Sequence, residues 1–250
     1  MAECTDAPDV VYYRGTADLD ARHIVAVVGT RRITPYGKAH CERCCAELAE
    51  ALPDALIVSG LAYGVDIHAH RAALDNRLDT VGVLAHGLDT LYPSSHRDTA
   101  RDMLLHGGLL TEYVAGVRPF AGNFVRRNRI VAGWPAVTLV VDSAEKGGAR
   151  ITAHHNRTVC ALPGRTDDEY SRGCLHLVRD HRAELVTGAD DLMRLMNWET
   201  KHNAPAAVQL ELFDGETPEQ AALIKALRTA GSEGETAERL CIITNLPLAQ

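Results

Sequence analysis

Short apolar runs alternate with helix-like stretches along most of this 250-residue chain, and this alternation constrains the fold more than any other feature. Strands separated by helices are typical of a parallel sheet with crossover connections. Most of the runs are apolar without interruption, which is typical of strands covered on both faces. The sequence therefore predicts an α/β fold with a mostly parallel sheet and helices on both faces. The predicted strands are Ile24 to Val28, Leu56 to Ser59, Thr80 to Leu84, Val137 to Val141 and Val159 to Leu162, with weaker candidates at Leu109 to Glu112 and Glu184 to Thr187.

The chain is predicted to divide into a large domain and a small tail. Residues 1–20 are expected to lead into a core domain at 21–200, whose first helix has Thr34 as N-cap, Pro35 at its first position and an end near Leu52. A polar stretch rich in alanine and proline predicts a linker at 201–216. Helix-like segments at 218–230 and 236–244 then resemble the start of a winged-helix module, so 217–250 is expected to be a truncated winged-helix-like segment.

Composition limits the compartment and the partners. The chain contains no apolar run of 18 residues, and its first ten residues lack the pattern of a signal peptide, so we expect a cytoplasmic protein without a membrane partner. Seven cysteines in a chain of this size favour free thiols over a disulfide framework. The net charge of −7 counts against indiscriminate coating of nucleic acid, because phosphate contacts need a positive surface.

Glycine-rich turns follow several predicted strands, where open α/β sheets bind their ligands. Such turns let the backbone approach an anion and leave helix N-terminal amides free to bind it, although glycine is also simply common in strand-to-helix turns. No dinucleotide or Walker motif is present, so no cofactor is expected. The candidate residues in these turns are Gly29, Thr30, Arg31, Arg32, Ser59, Gly60, Gly64, Gly147, Gly148 and Thr152.

The segment from Arg118 to Arg129 is the strongest candidate for a ligand-binding surface. It holds four arginines and two of the three phenylalanines of the chain, and no acidic residue occurs from 113 to 141. Guanidinium groups bind phosphates while bases stack on aromatic rings, so this composition favours single-stranded DNA. The alternative is that Phe124 is a core residue and the arginines form a solvated surface. The candidate residues are Arg118, Asn123, Phe124, Arg126, Arg127, Asn128 and Arg129.

The remaining chemical candidates predict neither a metal site nor catalysis. Cys41, Cys44 and Cys45 lie near His40, but with Leu48 they have the spacing of the buried side of an amphipathic helix. His154 and His155 have no nucleophile or orienting carboxylate placed beside them by sequence. Ser59 lacks the G-x-S-x-G frame of a hydrolase.

Five ordered motifs resemble those of the DNA-processing protein A family, also called DprA or Smf. The resemblance covers roughly 10–198. It implies a Rossmann-like domain that binds single-stranded DNA and forms a homodimer. It also implies a role in competence and DNA recombination, in which the protein protects incoming DNA and helps to load the recombinase RecA during natural transformation. The motifs are Val28-Gly29-Thr30-Arg31-Arg32, Ser59-Gly60-Leu61-Ala-x-Gly64-x-Asp66-x-x-Ala69-His70-Arg71, Gly87-Leu88-Asp89-x-x-Tyr92-Pro93, Asn123-Phe124-x-x-Arg127-Asn128-Arg129-Ile130-Val131-Ala132-Gly133 and Ile151-Thr152-Ala153.

The resemblance also implies roles for single residues. Arg31 matches a phosphate-binding arginine, and Phe124 with 127–129 matches the family's DNA-binding pocket. If about four phosphates are neutralised, the logarithm of the affinity should fall with that of the salt concentration at a slope near −3. The chain departs from the family pattern in two places. About four residues are missing after Ala153, which is expected to shorten a helix beside the sheet, and the N-terminal helical domain common in the family is not expected here.

The alternative function is an enzyme. Related Rossmann-like domains hydrolyse nucleoside monophosphates at a glycine-rich site. That class resembles the cytokinin-activating phosphoribohydrolases and relies on P-G-G-x-G-T-x-x-E. The nearest string in this chain is Glu145-Lys146-Gly147-Gly148-Ala149, and it lacks the following catalytic acid. We therefore expect DNA binding without covalent chemistry, and release of free base from nucleotides is the test.

Overall fold

A computed structural model of the protein describes residues 6–145, 157–198, 222–227 and 236–244. Within these ranges one sheet of eight strands forms the core of the large domain, in the order β1-β5-β4-β3-β2-β6-β7-β8. The strands are β1 Tyr12–Gly15, β2 Ile24–Val28, β3 Leu56–Ser59, β4 Asp79–Leu84, β5 Gly107–Thr111, β6 Val137–Val140, β7 Thr158–Ala161 and β8 Glu184–Leu185.

Every strand pair in the sheet is parallel except β1 with β5. This confirms the predicted α/β class and its mostly parallel sheet. All seven predicted strands are present, with ends that differ from the prediction by at most two residues. Strand β1 was not predicted, and it lies within residues 1–20, the expected lead-in.

Helices cover both faces of the sheet. Val25 and Val27 of β2 pack into a cluster with residues of α1, α2 and α6, whereas Ile24 and Ala26 pack on the opposite face with α4. This two-sided burial explains why the strands read as continuous apolar runs. The helices are α1 Pro35–Ala51, α2 Val65–Asp75, α3 Arg97–Met103, α4 Ala121–Gly133, α5 Arg172–Arg179 and α6 Ala189–Leu195, with a 3₁₀ turn at Ser94–His96 before α3.

Helix α1 begins where its sequence predicts. The Thr34 side chain accepts a hydrogen bond from the amide of Gly37 at 2.9 Å, as an N-cap should, and Pro35 is the first helical residue. The three cysteines of this helix and Leu48 are each at most 2% exposed. The predicted buried stripe is therefore confirmed.

The chain separates into two compact units, Met1–Ala204 and Pro205–Gln250. In the second unit, 222–227 and Ala237–Thr244 are helical, inside the two predicted helices. The expected linker at 201–216 lies outside the described residues, and a winged-helix arrangement remains a prediction. Nowhere in the described ranges does a helix combine the length and hydropathy needed to cross a bilayer.

The sheet order reverses between β2 and β6. Strands β3, β4 and β5 follow on one side of β2, and β6, β7 and β8 lie on the other. In an open parallel sheet such a switch point leaves a crevice beyond the carboxyl ends of the two strands, and ligands bind there. This edge is where Gly29 to Arg32 and Ser143 emerge.

Candidate nucleic-acid interface

A cavity of about 780 Å³ opens at this switch point. Its walls come from the turns after β2, β3 and β6 and from the start of α4, so it combines segments that are distant in sequence. Its lining includes Gly29, Thr30, Arg31, Arg32, Gly60, Ala62, Tyr63, Asp66, Tyr92, Phe120, Phe124, Arg127, Asn128, Ser143 and Ala144.

An arginine and an aromatic ring meet at this cavity. The Cζ atom of Arg31, an exposed residue, lies 5.5 Å from the centre of the Phe124 ring. Tyr92 contacts the same ring edge-on, with 5.8 Å between ring centres. Phe124 is half-buried and lines the cavity, so it is not the core residue of the alternative interpretation. A guanidinium near a ring face is held by cation–π attraction while its N–H groups stay available to an anion.

Arg32 provides a second exposed guanidinium at the cavity. It donates a hydrogen bond to the hydroxyl of Tyr170 at 3.0 Å, and its backbone amide donates to the side chain of Thr30 at 3.1 Å. These contacts fix the turn after β2 beside the segment that precedes α5. The turn therefore presents two adjacent cationic side chains.

Arg127 has a structural role that its sequence motif did not indicate. It is 4% exposed, and its Nη1 donates to the carbonyl of Gly60 at 2.7 Å and to that of Val83. Burial lowers the pKa of Arg127, and the charge of Asp66 opposes this shift. A Cβ on Gly60 would lie 2.2 Å from Nη1, so only glycine permits this contact. Arg127 thus holds the ends of β3 and β4 together at the wall of the cavity.

The other arginines of the predicted basic segment lie outside the lining of the cavity. Glu112, one residue before the acid-free stretch, contacts Arg129 at 2.7 Å and Arg126 at 3.4 Å. Arg118 donates to the hydroxyl of Thr90 at 3.2 Å. Of the four arginines in this segment, Arg126 and Arg129 are therefore paired with a carboxylate, Arg118 bonds a hydroxyl and Arg127 is buried, and phosphate binding by them remains a prediction.

Two predicted residues shape the loops without lining the cavity. The Ser59 hydroxyl is buried and donates to the carbonyl of Val27 at 2.6 Å. Gly64 has a φ of 77°, a conformation that favours glycine, and a Cβ there would lie 2.1 Å from the carbonyl oxygen of Thr30. Asn123 is half-buried at the start of α4. Gly147, Gly148 and Thr152 lie outside the described residues.

Tyr63, Tyr92 and Asp66 are among the cavity residues that were not predicted as ligand contacts. Tyr63 and Tyr92 are 47% and 46% exposed, so their rings are accessible. Asp66 accepts a hydrogen bond from the amide of Ala62 at 3.3 Å, and burial raises the pKa of this carboxyl group. The two tyrosines occur inside motifs quoted above, but no local pattern indicates that their rings face one cavity.

Asp142, at the end of β6, organises the turn after β2. Its backbone carbonyl accepts from the amide of Thr30 at 2.7 Å, and its Oδ2 accepts from the amide and hydroxyl of Thr34, each at 2.9 Å. Its Oδ1 accepts from the Ser171 hydroxyl at 3.3 Å. Burial raises the pKa of Asp142. One carboxyl group therefore joins β6, the start of α1 and the segment before α5, and it fixes the loop that carries Arg31.

Metal ions in proteins are bound mainly by acidic, histidine and cysteine side chains. The described part of the chain brings together no group of three or more such residues that could hold a metal ion.

The sequence is similar to those of known proteins. The profile of the DNA recombination-mediator protein A family matches residues 1–197. A Mycobacterium tuberculosis protein of the DprA type is 44% identical over 199 residues, which are 77% of this chain and 50% of that protein. Protein Smf of Escherichia coli is 37% identical over 196 residues, covering 76% of this chain and 51% of Smf. The chain thus spans about half the length of these two relatives.

Solved structures give the same result. DNA processing protein A of Streptococcus pneumoniae superposes with a TM-score of 0.73 at 36% identity, covering 77% of this chain and 68% of that one. DNA processing protein A of Helicobacter pylori, whose structure was described for its single-stranded DNA binding mode, gives 0.70 at 30% identity and covers 78% and 90%.

Proposed function

The chain belongs to the DNA recombination-mediator protein A family, and from that premise we propose that its Rossmann-like domain binds single-stranded DNA in the cavity between β2 and β6. Phosphates contact Arg31 and Arg32, and a base stacks in the cavity against Phe124. The structural relative from Helicobacter pylori, described for binding single-stranded DNA, supports this proposal.

The contact between Arg31 and Phe124 is the single observation that carries the proposal. It places an exposed guanidinium 5.5 Å from a half-buried ring at the mouth of the cavity. Single strands offer both a phosphate and an unstacked base within one nucleotide, whereas a duplex keeps its bases stacked and out of reach of a cavity. The arrangement therefore favours single strands with little sequence preference.

A fluorescence-anisotropy titration with labelled oligo-dT and a duplex of equal length tests this function. We expect the single strand to bind more tightly, and Arg31→Ala to weaken that binding at least several-fold without changing the melting temperature. Arg101→Ala is the matched control, because this exposed arginine on α3 does not line the cavity. Equal affinity for single strand and duplex, or unchanged binding by Arg31→Ala, would overturn the proposal.

We propose that binding occurs without covalent chemistry. The second candidate is hydrolysis of nucleoside monophosphates, and one observation favours it: Asp66 lines the cavity and burial raises its pKa, as in many acid–base catalysts. The hydrogen bond from Ala62 instead gives this carboxylate a part in the loop after β3. Release of free base from nucleoside monophosphates distinguishes the two, and we expect none.

We further propose that the protein acts in the cytoplasm as a homodimer that protects incoming DNA and helps to load RecA during natural transformation. Family membership supports this role. Light scattering on the purified protein tests the dimer. RecA filament growth on DNA coated with single-strand-binding protein tests the loading, and a monomer or unchanged growth would contradict the respective part.

A further inference from the structure

Tyr63 is an exposed ring at the edge of the cavity, on the loop between β3 and α2. Tyr63 is 47% exposed and also lines the cavity. The ring is not needed for the Arg31 and Phe124 contact described above. An accessible aromatic ring at the edge of a cavity offers a flat surface on which a ligand can stack.

The loop that carries Tyr63 is fixed at successive positions. The carbonyl of Gly60 accepts from Arg127 at 2.7 Å, and the amide of Ala62 donates to Asp66 at 3.3 Å. The amide of Val65 donates to the carbonyl of Thr30 at 3.1 Å. The loop is therefore ordered before any ligand arrives, which lowers the entropic cost of binding.

The backbone of Leu61 adds to this constraint. Its φ is 57°, in the left-handed region that a leucine seldom adopts, while its side chain is fully buried. Strained backbone of this kind persists only where the surroundings hold it, and it clusters at ligand-binding sites.

The Tyr63 ring itself is supported from behind. It contacts the buried ring of His96 edge-on, with 5.0 Å between ring centres, and its hydroxyl lies 3.4 Å from that of Ser95, which donates to it. His96 is in turn fixed by a 2.9 Å hydrogen bond from its Nδ1 to the carbonyl of Leu61. Because the ring is supported on one side, a base can stack on its open part.

We propose that Tyr63 is a second stacking platform, which takes an unpaired nucleobase next to the one that enters the cavity. The bound strand then leaves the cavity across the loop between β3 and α2. This inference rests on the proposed function, since the ligand is the same single strand.

The test compares wild type, Arg31→Ala, Tyr63→Leu and Tyr63→Phe in titrations with oligo-dT of 20 nucleotides. We expect Tyr63→Leu to weaken binding about 5- to 150-fold, the effect typical of losing one stacked base. Tyr63→Phe keeps the ring and should restore most of the affinity. In a Tyr63→Trp variant, addition of the oligonucleotide should quench more tryptophan emission than in wild type.

Tyr36→Leu is the matched control, because this tyrosine is 40% exposed and also contacts a histidine ring, that of His40, but does not line the cavity. Its affinity should equal that of wild type. If Tyr63→Leu binds as tightly as wild type while Arg31→Ala is weakened, the second platform is overturned and the proposed function stands. If wild type itself does not bind oligo-dT, the proposed function fails.

Discussion

The guanidinium of Arg127 donates hydrogen bonds to two main-chain carbonyls, those of Gly60 and Val83. Replacing Arg127 by methionine keeps the aliphatic part of the side chain but removes both hydrogen bonds. Leaving a buried acceptor without its donor costs about 1–3 kcal/mol, so we expect Arg127→Met to lower the free energy of unfolding by about 2–6 kcal/mol. Urea denaturation measures this loss.

Arg126→Met is the control for Arg127, since its side chain is 65% exposed and makes a surface ion pair with Glu112. Such pairs contribute about 0–1 kcal/mol. Equal urea midpoints for the two variants would contradict the structural role of Arg127.

His70 makes folding sensitive to acid. The Thr80 hydroxyl donates to the carbonyl of Ile57, so its oxygen accepts from Nδ1 of His70 at 2.7 Å, and no described residue bonds to the buried Nε2. Burial lowers the pKa of His70 to about 3. Between about pH 6.5 and pH 3, the His70 ring is protonated in the unfolded chain but stays neutral in the folded chain. Stability should therefore fall with decreasing pH in this window, by up to about 1.4 kcal/mol per unit.

The measurement for His70 is urea denaturation at several pH values between 7 and about 4 for wild type and His70→Gln. The glutamine removes the titrating ring, so the difference in unfolding free energy between the two proteins should shrink as the pH falls. A constant difference would refute the assignment.

Some site residues were predictable from sequence and others were not. Arg31 and Phe124 belong to local motifs, and the structure places both at the cavity. The pairing of Arg126 and Arg129 was hidden because their partner, Glu112, comes before α4 in sequence and reaches it only in the fold. Net composition of a segment thus indicates charge, but the fold decides which charges remain unpaired.

At the scale of elements, the start of α1 depends on Thr34. Its hydroxyl accepts from the amide of Gly37 and donates to Asp142. Thr34→Val removes both contacts, and loss of such a cap typically costs about 1 kcal/mol, within a range of about 0.5–2. Thermal unfolding should show this loss, while Thr34→Ser, which keeps the hydroxyl, should unfold close to wild type. A serine variant as unstable as the valine variant would contradict the capping role.

The elements that sequence predicted well are those specified locally. Strands β2 and β3 are buried on both faces, and α1 has a cap and a proline, so the signals lie within each segment. Strand β1 escaped prediction because three of its four residues are exposed and it depends on antiparallel pairing with β5. An edge strand without an apolar face leaves no periodic signal.

For the whole molecule, the number of free cations at the cavity sets the response to salt. If Arg31 and Arg32 neutralise two phosphates, the logarithm of affinity should fall against that of salt concentration with a slope of about −1.4, from about −0.7 per phosphate. Anisotropy titrations at salt concentrations between roughly 50 and 300 mM measure this slope. A slope near −3 would mean that four phosphates are neutralised, as the sequence alone suggested, and that Arg126 and Arg129 separate from Glu112.

The cavity exists only because β2 lies beside β6, where Val25 pairs with Val137. Contacts between such distant positions close a long loop and form slowly. A chain emerging from the ribosome would therefore be unable to capture nucleic acid until β6 has been made and has docked. In stopped-flow refolding, the proposed affinity for oligo-dT should therefore return no earlier than the slowest phase of sheet formation.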